Sequence, residues 1–318
     1  MINLPIPYHP SQEVLDSTKI QNYQDCPRRF FYEYLLGWRS ARPNNHLHFG
    51  KAVHMAMEHM IMNGYRVESV MEALQIFNDE YRFAFPEETD AIFTPKTPGR
   101  FFDMLIEYLK TYRDDLTKYE VYKTEFGGTV SLGEGYSIAF KMDTILLNRE
   151  TGKYFSLEHK TKGGNYISDF YYYEHMMGIQ CGTYTHVLNC LFPPEDVEGI
   201  TINCLCFKKT KKSEFILKRF PIMLNNAQMN IWLENTKQWI NLIRLDLERL
   251  SATPIGADVM TAFPCNGRNC SNYNTRCPYL ELCMSWPNPL QHLHQIPIDM
   301  QVEFWNPLDE PLREVLTL

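Results

Sequence analysis

The chain has 318 residues, 44% hydrophobic and 22% charged, enough to bury a large core in one big domain or a core with appended lobes. Its net charge of −7 excludes a protein that coats nucleic acid indiscriminately, but leaves room for a local basic groove. No apolar run nears the roughly 20 residues of a membrane-spanning helix.

The first segment, MINLPIPYHPSQEV, has prolines and an acid where a signal peptide would be basic and then apolar. The expectation is a cytoplasmic protein, or one of the host cytoplasm if a phage encodes it. Nine cysteines then read as metal ligands or free thiols rather than disulfides.

Residues 17–36 predict a helix with Ser17 or Thr18 as N-cap. Further helical patterns cover 48–62, 66–84 and 98–119, so the first third is mainly α-helical. The pattern then changes to strands at 120–127, 136–147 and 153–160, the last two joined by the hairpin loop NRETG. A helix at 169–190 follows, then strands 201–207 and 214–220 around KKTKKS, and a long amphipathic helix at 225–250. This succession predicts an α/β fold, with a mixed central sheet flanked by helices. It forms one domain over 1–284: a helical part at 17–119, an α/β core at 120–250 and a cysteine cluster at 265–283. Residues 285–318 read as a tail.

In YFSLEHK, alternation puts Glu158 and Lys160 on one face of a strand while Phe155 and Leu157 enter the core. Asp143 lies on the partner strand across the hairpin. An Asp, a Glu and a Lys on one sheet surface suit phosphodiester hydrolysis. The carboxylates hold Mg²⁺ or Mn²⁺, and the lysine orients water or offsets developing charge. Same-face surface charges are the plain alternative, but the apolar flanks argue for buried strands, where charges need a function or a partner. His54 and Glu58, spaced i, i+4, share a helix face and read by themselves as a surface pair. Glu125, on the preceding strand, is a weaker candidate for the site and reads rather as structural.

Four cysteines, Cys265, Cys270, Cys277 and Cys283, fall within 19 residues of a chain with no mark of secretion. They predict a thiolate metal centre, zinc or iron–sulfur. Cys181, Cys190, Cys204 and Cys206 lie in apolar elements and read as inert core thiols. Arg28, Arg29, Lys51, Lys162 and the KKTKK turn (Lys208, Lys209, Lys211, Lys212) are candidate phosphate contacts. The aromatic run at 170–173 reads either as core or as a stacking surface for unpaired bases. No GxxxxGK[ST] is present, so any helicase would be a separate partner.

Five landmarks stand in order: STKIQNYQDCPRRFFYEYLLGWR, HFGKAVHMAMEHM, FKMDTILL, LEHKTKGG and QCGTY. In these the chain resembles the PD-(D/E)XK nuclease superfamily over residues 17–284. The likeness is to its RecB-like branch, which includes the AddB nuclease domain and the iron–sulfur CRISPR-associated exonucleases. The resemblance implies metal ligation by His54, Asp143, Glu158 and the backbone carbonyl of His159. It makes Lys160 the catalytic lysine, with Gln180 and Tyr184 facing the scissile strand. Lys141 and Met142 depart from the small residues common before the aspartate.

The resemblance also implies a [4Fe–4S] cluster on Cys26, Cys270, Cys277 and Cys283, with Cys265 as rival to Cys270 and zinc as the alternative metal. The implied activity is a Mg²⁺- or Mn²⁺-dependent deoxyribonuclease, an exonuclease on free or single-stranded DNA ends. It would serve recombination, repair or CRISPR-type processing. The rival readings are a DNA-binding or assembly module without cleavage, and an iron–sulfur redox protein.

Overall fold

A computed structural model gives the fold, with residues 3–208, 215–272, 275–309 and 312–318 described. The chain begins with α1 (Ser17–Asp25), α2 (Pro27–Phe30), a π-helical turn (Phe31–Leu35) and β1 (Trp38–Ser40). A helical block follows: α3 (Asn45–Asn63), α4 (Val67–Ala84), α5 (Asp90–Phe93), α6 (Pro98–Thr111) and α7 (Asp115–Lys118). The core runs through β2 (Tyr119–Gly133), β3 (Tyr136–Asn148), β4 (Tyr154–Gly163), α8 (Asp169–Met176), α9 (Ile179–Leu191), β5 (Val197–Phe207), β6 (Phe215–Ile222) and α10 (Asn226–Ala252). The C-terminal part holds β7 (Ser271–Asn272), β8 (Thr275–Arg276), α11 (Leu280–Ser285), β9 (Met300–Val302) and β10 (Glu314–Thr317).

The fold is mixed α/β, as the element order predicts. Its central sheet has six strands in the order β10-β2-β3-β4-β5-β6. Strands β2, β3 and β4 form an antiparallel meander, β4 runs parallel to β5 through the α8–α9 crossover, and β6 returns antiparallel. One hydrophobic cluster joins Phe49, Val53, Phe77, Tyr81, Phe101 and Leu105 of the helical block to Leu205 and Phe207 of β5. A second gathers Ile20 of α1, Val187 and Leu188 of α9, and Ile240 and Ile243 of α10 with Phe140 and Met142 of β3. The sheet is thus covered on both sides, and charges on its middle strands are buried. Among the described residues no helix is long and apolar enough to cross a membrane.

Three helices differ from expectation for local reasons. The helix predicted over 17–36 breaks at Cys26, which is extended (φ −163°, ψ 109°) because Pro27 disfavours a helical residue before it. Its N-cap is Asp16, whose carboxylate accepts the Lys19 N–H at 2.9 Å. The helix predicted over 98–119 ends at Thr111, and that over 169–190 is interrupted at the extended Gly178.

The segment read as a tail supplies two strands. β9 pairs with β1, and β10 lies parallel to β2 at the sheet edge. Gly128 permits this approach. Its φ is +155°, and a Cβ there would stand 1.8 Å from the Leu316 carbonyl oxygen.

Candidate active site

The pairing of β3 with β4 runs from Leu147–Tyr154 to Thr144–Leu157 and stops where Asp143 and Glu158 face each other. The two carboxylates take over from the ladder. Asp143 Oδ2 accepts the His159 N–H at 2.8 Å, and Glu158 Oε1 accepts the Asp143 N–H at 3.3 Å. Ser156, two residues along the same face, donates its hydroxyl to Glu158 Oε1 at 2.9 Å. Both acids are buried.

From the other side α3 brings His54, whose Nδ1 lies 3.0 Å from Asp143 Oδ1. One turn on, Glu58 accepts the Thr124 hydroxyl at 3.0 Å and pairs with Arg313. Thus one helix face holds both β3 and the interior of β2. Glu125 follows Thr124, between the pairs Thr124–Thr144 and Phe126–Met142, and so stands across from Asp143. Its φ of 41° is in the left-handed region, rare for a residue with a side chain and commonest where function requires it. Its carbonyl accepts the Arg313 N–H at 2.8 Å, and its carboxylate pairs with Lys141 at 3.0 Å.

The result is a ligand set that joins Glu125 to the expected His54 and Asp143. One atom each from His54, Glu125 and Asp143 lies within 4.8 Å of the others. An imidazole with two carboxylates suits Mg²⁺ or Mn²⁺ rather than a thiophilic metal. Glu158 adjoins this group through its contact with the Asp143 backbone.

The electrostatics show crowded negative charge. Burial raises the Glu158 pKa to about 8, with Asp143 adding to the rise and Lys160 opposing it. Burial and Asp143 likewise raise Glu125 to about 7. Burial also works against a charge on Asp143, yet His54, His159 and Lys160 outweigh it and hold that carboxyl well below the usual range. For His54, burial favours the neutral ring, but Asp143 prevails and raises its pKa. Concentrated acid with one firm anion is the condition that a divalent cation relieves.

The remaining expected residues are distributed as follows. Lys160 follows on the Glu158 face of β4 and is partly exposed. Tyr184 is buried, takes a hydrogen bond from Gln180 at 2.9 Å and donates its hydroxyl to the Lys141 carbonyl. Together they brace β3 two residues before Asp143. The Nδ1 of the His159 ring meets the amide of Asn203 on β5 at 2.8 Å, and that amide also donates to the Tyr108 hydroxyl of the helical block. Burial lowers the His159 pKa to about 3, so the ring is neutral.

Two other expectations are corrected, those for Arg28 and Cys190. Arg28 is buried, and its guanidinium donates to the carbonyls of Phe263 and Met260, so it ties the chain's two ends together and does not face phosphate. Lys51 pairs with Glu80 at 2.7 Å on the helical block, and Arg29 pairs with Glu33 at 3.0 Å. Cys190 is exposed, unlike the buried Cys181, Cys204 and Cys206. Lys162 places its ammonium 4.8 Å from the Tyr171 ring centre. Of the KKTKK turn, Lys209, Lys211 and Lys212 lie outside the described residues.

The cysteines converge from both ends of the chain. The Asn266 N–H donates to Cys26 Sγ at 3.4 Å, and the Cys277 N–H to the Cys270 carbonyl at 2.9 Å. Cys283 shares a thiol hydrogen bond with Cys265 that lowers the Cys265 pKa to about 6. Among the described residues no three sulfurs lie within 4.8 Å of one another.

Compared with models of protein families, residues 17–284 match the PD-(D/E)XK nuclease superfamily. The chain belongs to that superfamily. No curated protein matches this nuclease. Among solved structures it is similar to the crystal structure of a candidate exonuclease from Eubacterium rectale. The two are 14% identical with a TM-score of 0.47, over 76% of this chain and 82% of the other.

Proposed function

We propose that this nuclease hydrolyses DNA phosphodiesters with Mg²⁺ or Mn²⁺, acting as an exonuclease on free or single-stranded ends. The observation that carries this reading is the convergence of His54, Glu125 and Asp143 where β3 and β4 part, with Glu158 and Lys160 alongside. When bound, the divalent ion polarises the scissile phosphate and makes its water a better nucleophile at neutral pH. His54, Asp143 and Glu158 hold it, as does Glu125, and the His159 carbonyl is a further donor. Lys160 places its ammonium against the charge that develops on the phosphoryl group. Gln180 and Tyr184 keep β3 in register behind Asp143.

The preference for unpaired strands is supported by aromatic rings beside the site. Phe170 is 81% and Tyr166 71% exposed, just beyond the end of β4. Lys162 and Lys218 sit over the rings of Tyr171 and Phe220. Exposed rings with adjacent cations suit base stacking and backbone contact on single strands.

Cys26, Cys277 and Cys283 with Cys270 or Cys265 hold a [4Fe–4S] cluster that staples the two chain ends. Support for a shared centre is the approach of cysteines from both chain ends, with Cys26 Sγ beside the Asn266 N–H and Cys283 beside Cys265. Iron near four atoms per chain after anaerobic purification is expected, and stoichiometric zinc without iron would overturn it.

The enzymatic test is digestion of 5′- and 3′-labelled single- and double-stranded DNA by wild type and Lys160→Ala. Metal-dependent release of short products from single strands, lost in the variant, is expected. Equal cleavage by both proteins would refute the assignment.

A further inference from the structure

Lys96 lies in TPKTPG, between the helical block's α5 and α6, yet only 5% of it reaches solvent. Burying an ammonium is costly unless something neutralises it. Among the described residues no carboxylate pairs with Lys96. Its Nζ reaches the Thr161 hydroxyl at 3.4 Å and lies 5.8 Å from the Phe49 ring centre. Burial lowers its pKa to about 8, a sign that the free protein holds this charge at a cost.

The location gives that cost a use. Thr161 directly follows Lys160 on β4. A Cβ on Gly50, one helical turn before His54, would stand 3.8 Å from Thr161 Oγ1. Lys96 therefore stands in the wall where α3 meets the catalytic strand. Lys162 and Lys208 act with it on the Cys206 thiol near the end of β5. Positive charge thus collects at the carboxyl ends of the parallel pair β4 and β5, where open α/β sheets place their ligands. α6 begins two residues after Lys96 with no side-chain cap on its first turn, adding the positive end of a 14-residue helix to the segment.

We propose that Lys96, with the Thr161 hydroxyl beside it, binds a backbone phosphate of the substrate strand next to the scissile phosphodiester. This rests on the nuclease reading of the site. The substrate phosphate would be the counter-ion that Lys96 lacks in the free protein, and the pair would form in poorly solvated surroundings, where charge-assisted hydrogen bonds are strong. Pro95 and Pro98 limit the conformations open to the turn, so little ordering remains to be done on binding.

The test compares wild type with Lys96→Met and Lys96→Gln on end-labelled oligo(dT). Binding is measured without divalent metal across a salt series, and cleavage with Mn²⁺. KM should rise about tenfold in both variants, the effect of losing one hydrogen bond to a charged group. The change in kcat should stay within about twofold. The slope of log affinity against log salt should become shallower by about 0.7, the contribution of one phosphate on a single strand. The melting temperature should stay level or rise, because a buried charge without a partner has been removed. Folded variants with wild-type KM and salt slope would overturn the assignment. Loss of folding in both would overturn it too, by making Lys96 structural. If wild type itself neither binds nor cleaves the oligonucleotide, it is the nuclease reading that fails, and this inference falls with it.

Discussion

Replacing Asp143 with Asn separates the fold from the chemistry. The carboxylate meets His54 Nδ1 at 3.0 Å and accepts the His159 N–H at 2.8 Å. Asn keeps the shape, and its carbonyl can still accept from one neighbour while its amide faces the other. His54 can meet that amide by presenting the lone pair of its neutral ring, so no buried group is stranded. Two charge-assisted bonds become neutral ones, a loss of about 1 kcal/mol each. Against this, Glu125 and Glu158 lose the anion that helps to raise their pKa values. These effects offset one another, and stability in EDTA should change by no more than about 1 kcal/mol, a few degrees in melting temperature.

Metal binding should respond very differently. At Mn²⁺ near 100 times the wild-type Kd, linkage stabilises the wild-type protein by about 2.7 kcal/mol. A hundredfold weaker Kd leaves about 0.4 kcal/mol at the same concentration. Melting curves with EDTA and with Mn²⁺ therefore give a direct readout, and initial cleavage rates should fall on the order of a thousandfold. An Asp143→Asn protein that keeps the metal-induced rise in melting temperature would refute the assignment of Asp143 as a ligand.

Glu125→Gln should weaken Mn²⁺ binding about tenfold, while melting in EDTA at pH 8 stays level or rises, because Gln has no charge to bury. An unchanged Mn²⁺ response would remove Glu125 from the ligand set. Since Glu125 is raised to about 7 and Glu158 to about 8 from an ordinary 4.5, the metal-free protein holds protons that a cation must displace. Calorimetry at pH 6.5 in buffers of different ionisation heat should show about one to two protons released per Mn²⁺, fading above about pH 9. The same shifts should lower metal-free stability as pH rises from about 4.5 through 8, because the unfolded carboxyls lose their protons first. Metal uptake without proton release at pH 6.5 would contradict the reading. Gly128→Val should displace β10, since a Cβ there meets the Leu316 carbonyl at 1.8 Å. Amide exchange at Leu318, whose N–H donates to the Thr129 carbonyl at 2.9 Å, should become fast. Unaltered protection would show that the edge adapts.

What could be read in the sequence was what is local or strictly periodic. Asp143, Glu158 and Lys160 stand out because a short hairpin and two-residue alternation suffice to bring them together, and antiparallel pairing of β3 with β4 does so. Glu125 is only a weak candidate in the sequence because alternation fails at that point. Its left-handed backbone sits between two regular pairs, and its carbonyl is held by Arg313, from the far end of the chain. The strand at 314–317 was missed for a related cause. Its partner is β2, nearly two hundred residues earlier, and four alternating residues carry little signal without that partner. Yet a hint of the docking lay in FGGTV, since paired glycines inside a strand signal close backbone approach. Lys96 left no such trace. A single lysine between prolines looks like any solvated turn, and only the packing of α3 and α6 against β4 and β5 makes it a buried charge. Residues that hold a site together over long sequence separations are thus the ones that pattern reading misses, and in this nuclease they include both a proposed metal ligand and the proposed phosphate contact.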